Sequence, residues 1–136
     1  MTLIRPARTA EYPALASIQT SLAEPSPELL RWAVDAGNVL VSTADGRPVA
    51  YLLAVYGESV HVAELAVRPD RRREGRASAL LSRLVSSLGA ETRVTVAVEP
   101  ENGAARALYR SMGFERVRRD ESYFEGGAAL ILARRT

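Results

Sequence analysis

Val67-Arg-Pro-Asp-Arg-Arg-Arg-Glu-Gly75-Arg-Ala-Ser-Ala-Leu-Leu81 joins the end of an apolar alternating run to the start of a helix through a short arginine-rich turn. Backbone N–H groups in the first turn of a helix have no intrahelical acceptor, and the helix dipole adds partial positive charge there, so such a turn attracts anions. Gly75 and Ala77 are small where a ligand's phosphates must meet the main chain, and Arg71, Arg72, Arg73 and Arg76 add a positive field. The stretch therefore outlines a diphosphate cradle; its plainer reading is a solvated charge run ahead of an ordinary helix. The helix itself is the clearest element in the chain. Ala77, Leu80, Leu81, Leu84, Val85 and Leu88 fall at i, i+3, i+4, i+7, i+8 and i+11 before Gly89, an apolar stripe that needs a sheet to cover it.

Upstream, Leu3-Ile4 reads as a short strand, and a helix follows with Thr9 as its cap and Pro13 in its first turn. Ser26 and Pro27 start a second helix that Gly37 stops. The period then changes. Val39 to Ala44, the Asp45-Gly46 turn and Pro48 to Tyr56 form a hairpin, and Val60 to Val67 a further strand. Downstream, Val94, Val96 and Val98 alternate as a fifth strand, Asn102 to Met112 is a fourth helix, and Phe114 to Arg118 and Ala128 to Ala133 are the last strands, with 121–127 as a loop between them. The order βααβββαβαββ predicts a single mixed α/β domain over residues 1–136.

The spacing Arg72-x-x-Gly75-x-Ala77, flanked by Val67-x-Pro69 and Leu80-Leu81, resembles the coenzyme-A-binding signature of the GNAT superfamily of N-acetyltransferases. Val98-Glu-Pro-Glu-Asn-Gly-Ala-Ala-Arg-Ala-Leu-Tyr-Arg-Ser-Met-Gly-Phe114 resembles the second half of the same pattern, with an Asn opening a helix, a Leu-Tyr pair two turns on, and Gly-Phe leading into a strand. The resemblance is dense from Glu64 to Phe114, and within the superfamily the C-terminal half is most similar to the ribosomal-protein N-terminal acetyltransferases. It implies a mostly antiparallel sheet of about seven strands splayed between the fourth and fifth, with about four helices. It also implies acetyl-CoA as co-substrate, held by the main chain of Leu65, Ala66 and Val67 along the pantetheine arm. The diphosphate would meet Arg72, Arg73, Glu74, Gly75, Arg76, Ala77 and Ser78, with Asn102 and Tyr109 also against the coenzyme.

Composition excludes several classes. Cysteine is absent, which removes disulfides, thiolate metal sites and a cysteine nucleophile together, and with one His a zinc site would need carboxylates for nearly every other ligand, so no metal is expected. The apolar fraction of 47% and charged fraction of 25% are ordinary for a globular chain. No run approaches the ~20 apolar residues of a membrane span and Met1 to Ala7 lacks a signal-peptide core, so the expectation is a cytoplasmic protein that engages no membrane. All 18 basic residues are Arg, and the net charge is only +2. No aromatic residues interleave with the 68–76 cluster, which argues against a nucleic-acid partner. A P-loop reading fails because the turn lacks a Gly-Lys-Ser/Thr ending.

Moving an acetyl group from a thioester to an amine requires a tethered donor, a neutral amine beside the carbonyl and a proton for the departing thiolate. Placement alone supplies roughly 7 to 11 kcal/mol. Tyr109 lies seven residues after Asn102, roughly 10 Å along the helix and on nearly the same face. Its phenol, with an ordinary pKa of about 10, is the candidate acid for a thiolate whose conjugate acid is near 8.5; the alternative is that it fills the core beside Leu108 and Met112. Asn102 has an alternative role as a helix cap. The base is more open. The related N-terminal acetyltransferases often carry a carboxylate five residues before the Asn, where this chain has Ala97. His61 and Glu64 are the candidates, on opposite strand faces unless a bulge intervenes. A weak base suits an α-amine of pKa about 8 better than a lysine of about 10.4. Tyr123-Phe124, in the expected loop, is either an acceptor entrance or a packed hairpin tip. The sequence thus points to transfer onto a primary amine, of a protein N-terminus or a small molecule, by a monomer or homodimer in a direct ternary complex; the alternative is a non-catalytic coenzyme A sensor of the same fold.

Overall fold

The structure, a computed structural model, describes residues 3–136; the first two residues of the domain expected over 1–136 lie outside the described residues. Among the described residues, the strands are β1 (Leu3–Pro6), β2 (Val39–Ala44), β3 (Arg47–Tyr56), β4 (Val60–Val67), β5 (Arg93–Val98), β6 (Glu115–Phe124) and β7 (Gly127–Arg135). The helices are α1 (Tyr12–Gln19), α2 (Pro27–Asp35), α3 (Arg76–Ser87) and α4 (Gly103–Ser111). They interleave in the expected order, and the strands form one sheet, β1-β2-β3-β4-β5-β7-β6. Every neighbouring pair is antiparallel except β4 and β5.

Local chemistry accounts for most boundaries. Asp45 and Gly46 have φ of 53° and 78°, the left-handed pair that a two-residue hairpin needs to match strand twist. Ser26 accepts from the Leu29 N–H at 3.4 Å and Pro27 opens α2. Two expectations need correction. Thr9 does not cap α1. Residues Thr9–Glu11 make a 3₁₀ turn first, fixed by Glu11, which takes two bonds from the Arg5 guanidinium (2.9 and 2.7 Å) and one from the Arg8 N–H (2.9 Å). Residues 121–127 are also not a loop: β6 runs on to Phe124 and β7 begins at Gly127. β6 is an edge strand exposed along most of its length, so its pairing rests on backbone bonds to β7 and leaves no apolar alternation to read.

Each face of the sheet carries a core. On one, Leu80, Leu81 and Leu84 of α3 pack with Tyr109 and Phe114 on Val60, Val62, Val94, Val96, Leu130 and Leu132. On the other, Leu15, Ile18, Leu30, Ala33 and Val34 of α1 and α2 cover Val39, Val41, Tyr51 and Leu53. Leu81 is fully buried. Leu81→Ala should lower stability by about 2 to 5 kcal/mol in urea unfolding, the cost of lost transfer energy plus a residual cavity; a loss below about 1 kcal/mol would contradict the packing of α3.

Candidate active site

The cleft begins where two strands separate. β4 and β5 hold only three pairs, Val60 with Val94, His61 with Thr95 and Val62 with Val96. Across β4 the pairing with β3 slips at the same point: Ala54 faces Val62 but Leu53 faces Glu64, so Ala63 is an extra, bulged residue. A bulge bends its strand and raises its twist. β4 is thereby turned away from β5, and residues 63–67 face the gap with no partner strand on that side. The gap is a cavity of about 810 Å³ that reaches from the arginine turn past Leu65, Ala66 and Val67 to Tyr109 and Phe124.

At one end, Gly75 caps α3 at φ 76°, a left-handed conformation that costs other residues about 1 to 2 kcal/mol. A Cβ there would meet no protein atom within 4 Å, because the position opens onto the cavity. Arg72 and Arg73 are exposed and join no ion pair among the described residues, although Arg72 Nε also donates to the Val67 carbonyl at 3.4 Å. Arg76 corrects the expected positive field. It is buried, with Nε 2.8 Å from Glu74 Oε1 and Nη1 3.0 Å from Ser42 Oγ, so its charge ties the turn to β2. Arg71 shares the same carboxylate at 3.8 Å. Ala77 and Ser78 line the cavity at the start of α3.

At the other end stands α4. Asn102 caps it, accepting from the Ala105 N–H at 3.1 Å, and also lines the cavity. Tyr109 is only 5% exposed and packs edge-on against Phe114, with ring centroids 5.2 Å apart. No described residue hydrogen-bonds its hydroxyl, while every fully buried polar side-chain atom among them has a partner. The hydroxyl therefore opens into the cavity. Burial pushes its pKa well above the ordinary phenol value, so it keeps its proton.

The bulge sets where the carboxylate and the imidazole lie. It offsets the three-residue spacing, so His61 and Glu64 lie on the same face instead of opposite ones. Only Glu64 lines the cavity. It is 8% exposed and receives the Tyr51 hydroxyl at 2.9 Å and the Gln19 amide at 3.0 Å, and Gln19 also donates to the Ser26 carbonyl at 2.9 Å. Burial raises the Glu64 pKa against the opposing pull of these bonds. His61 stays outside the cavity, with Nδ1 2.8 Å from Thr95 Oγ1 and Nε2 3.4 Å from the Tyr123 hydroxyl; burial lowers its pKa and keeps it neutral near pH 7. Tyr123 and Phe124 stack edge-on at 5.0 Å at the end of β6, and only Phe124 reaches the cavity. Gln19 and Tyr51 were not singled out from sequence. Gln19 did carry a signal: with Leu15 and Ile18 it completes an i, i+3, i+4 set, a polar side chain at a core-facing position.

The chain has relatives by sequence and by fold. Residues 4–114 match the sequence profile of the Acetyltransferase (GNAT) family. Over 80 residues the chain is 35% identical to mycothiol acetyltransferase of Clavibacter michiganensis subsp. michiganensis; the match takes in 59% of this chain and only 26% of that protein, so the chain spans about a quarter of its length. Among solved structures, the ribosomal-protein-S18-alanine N-acetyltransferase of Escherichia coli superposes with a TM-score of 0.82 at 28% identity, covering 99% of this chain and 94% of that one. Ard1 from Thermoplasma volcanium superposes at 0.89 with 23% identity over 99% and 97% of the two chains, a likeness of fold. With the arginine turn, the parted strands and the Asn102–Tyr109 helix in the family's order, the chain belongs to the GNAT family of acetyltransferases.

Proposed function

We propose that this chain is an acetyl-CoA-dependent N-acetyltransferase acting on a primary amine in a direct ternary complex. One observation carries the reading. A single cavity joins the open helix start at Gly75 to the partnerless hydroxyl of Tyr109, along five residues of β4 that have no strand on their open side. A pantetheine chain pairs with such an edge as an added strand does. Leu65, Ala66 and Val67 supply the backbone, the N–H groups from Arg72 to Ser78 meet the diphosphate, and Arg72 and Arg73 complement its charge. Crystal structures of other members of the fold were determined with coenzyme A or acetyl-CoA, which supports the fit.

The coenzyme supplies a thioester; the protein supplies placement and proton management. As the amine nitrogen bonds to the acetyl carbon and the carbon–sulfur bond breaks, Tyr109 donates to the leaving sulfur and regains a proton from the amine nitrogen. Glu64 takes the proton that an ammonium acceptor must first lose, directly or through water; we prefer it to His61 because it lines the cavity. An α-amine or small amine suits this weak base, and the expected cytoplasmic setting belongs to the same proposal.

Three outcomes test the reading. Tyr109→Phe removes a hydroxyl that has no protein partner, so unfolding free energy should change by less than about 0.5 kcal/mol while kcat falls about 10- to 1000-fold. Normal turnover would make Tyr109 a packing residue, whereas a parent protein that binds coenzyme A and acetylates no amine would favour coenzyme A binding without transfer, the role that the missing carboxylate at Ala97 also suits.

Glu64→Gln should lower kcat/KM at pH 7 by about 10- to 100-fold and recover towards about pH 8.5 with an α-amine acceptor, whereas His61→Ala should change it less than about threefold. A Glu64→Gln profile overlaying the parent would exclude Glu64 as the base. The stability of the same variant gives an independent readout. A carboxyl whose pKa rises on folding stabilises the protein fully below its ordinary value of 4.5 and loses that contribution as pH rises through the folded value. The stability of the parent relative to Glu64→Gln should therefore fall as pH is raised from 4.5 to neutrality; a difference that grows with pH would contradict the burial of a raised carboxyl.

A further inference from the structure

Glu64 is held from behind. Its two side-chain donors, Tyr51 and Gln19, are buried, and neither lines the cavity that Glu64 itself reaches. Tyr51 belongs to the core of Leu15, Ile18, Leu30 and Leu53, and Gln19 follows Leu15 and Ile18 on the buried face of α1. Apolar side chains of the same size would pack that layer as well, so the polar trio answers to something other than packing. The amide of Gln19 has a fixed orientation: its nitrogen donates to the Ser26 carbonyl at 2.9 Å and to both oxygens of Glu64 at 3.0 Å. A carbonyl can only accept, so the Ser26 contact keeps the N–H side of the amide, not its oxygen, against the carboxylate. That carbonyl is itself fixed at the start of α2, where it accepts from the Leu30 N–H at 3.1 Å while the Ser26 hydroxyl accepts from the Leu29 N–H at 3.4 Å.

We propose that Gln19 and Tyr51 are positioning residues for acetyl transfer: they turn the Glu64 carboxyl towards the cavity and hold it there in both of its charge states, with Gln19 tying it to the α1–α2 connection. Oε1 of Glu64 takes the Tyr51 hydroxyl and a share of the Gln19 amide, whereas Oε2 takes only the other share. A proton arriving at Oε2 from the cavity leaves both donors a place on the two lone pairs of Oε1, so the carboxyl changes charge without rebuilding its surroundings. Because neither holder lines the cavity, neither meets a substrate there, and each acts through Glu64. Residues 21–24 of the α1–α2 connection do line it, so the bond from Gln19 to Ser26 also sets the carboxyl in register with that wall. The inference rests on Glu64 as the base for its effect on turnover, but the holding of the carboxyl is measurable without turnover.

Both donors favour the charged form, as does the Ser26 backbone N–H, so losing either one raises the pKa of the carboxyl further. Other ionisable groups stand apart from it. α1 and α2 bury none, His61 is engaged by Thr95 outside the cavity, and Glu24, Glu99 and Tyr109 line the cavity without a hydrogen bond to Glu64. The arginine turn is separated from it by Leu65, Ala66 and Val67.

The test is a carboxyl carbon-13 NMR titration of the full chain labelled in glutamate, with the Glu64 signal identified by its loss in Glu64→Gln, beside pH profiles of kcat/KM for thiol release from acetyl-CoA with an Ala-Ser-Ser peptide amide. Tyr51→Phe and Gln19→Met should each raise the Glu64 pKa by about one unit and move the acid limb of the profile with it, lowering kcat/KM at pH 7 about three- to tenfold with coenzyme A affinity unchanged. In a Glu64→Gln background either substitution should change kcat/KM by less than about twofold, whereas a merely structural role costs the same factor in both backgrounds. Tyr51→Phe loses one hydroxyl and carries the test by itself if Gln19→Met unsettles α1. An unmoved Glu64 pKa, or equal losses with and without the Glu64 carboxyl, overturns the inference, and the base reading is then judged on Glu64→Gln alone. A raised pKa together with turnover unaffected by Glu64→Gln leaves the held carboxyl standing and removes Glu64 as the base.

Discussion

β4 and β5 run side by side for three pairs and then part, because an extra residue at Ala63 turns β4 out of the sheet. Every other property of the cleft follows from that separation. A continuous sheet would bury the edge of residues 63–67 in ladder hydrogen bonds and leave no opening between the faces. Parted, the strands expose an edge at the centre of the fold, where an edge ordinarily invites unwanted pairing. Here it faces a cavity shielded by α3, α4 and the α1–α2 connection, which keeps other strands away from the unpaired groups.

The same bulge governs the chemistry. Regular alternation would send His61 and Glu64 to opposite faces; one extra residue brings Glu64 beside Tyr51 and Gln19, inside the cleft, and leaves His61 held by Thr95 at the closed end of the strand pair. Glu64 and Tyr109 then approach the cavity from different layers of the molecule, one braced by the α1 side and the other by α4. A carboxyl with a raised pKa and a phenol that keeps its proton thus face one cavity from environments that set them apart, as the proposed base and donor require.

How much of this was legible in the sequence depended on whether the signal was local. The Asp45-Gly46 hairpin, the Ser26-Pro27 helix start and the stripe from Leu80 to Leu84 are set by neighbouring residues, and each lies where its pattern placed it. Gly75 and Asn102 were readable for the same reason, as helix starts with a particular backbone need. The bulge was not, because no residue type demands one at Ala63. The length of β6 was hidden by its exposure, which removes the apolar alternation that a strand usually presents. Arg76 shows the limit most plainly: within its loop it is one of four arginines, and only its burial against Ser42 and Glu74, on another strand and in the turn, separates it from Arg72 and Arg73.

If the parted edge is the donor site, coenzyme A must cover it. Amide hydrogen exchange resolved by residue, with and without coenzyme A, addresses this without reference to any acceptor or to turnover. The account predicts slowed exchange at Leu65 to Val67 and from Arg72 to Ser78 on addition of coenzyme A, with β2 and α2 unaffected. Unchanged exchange along β4, or protection confined to the outer surface of the sheet, would contradict it.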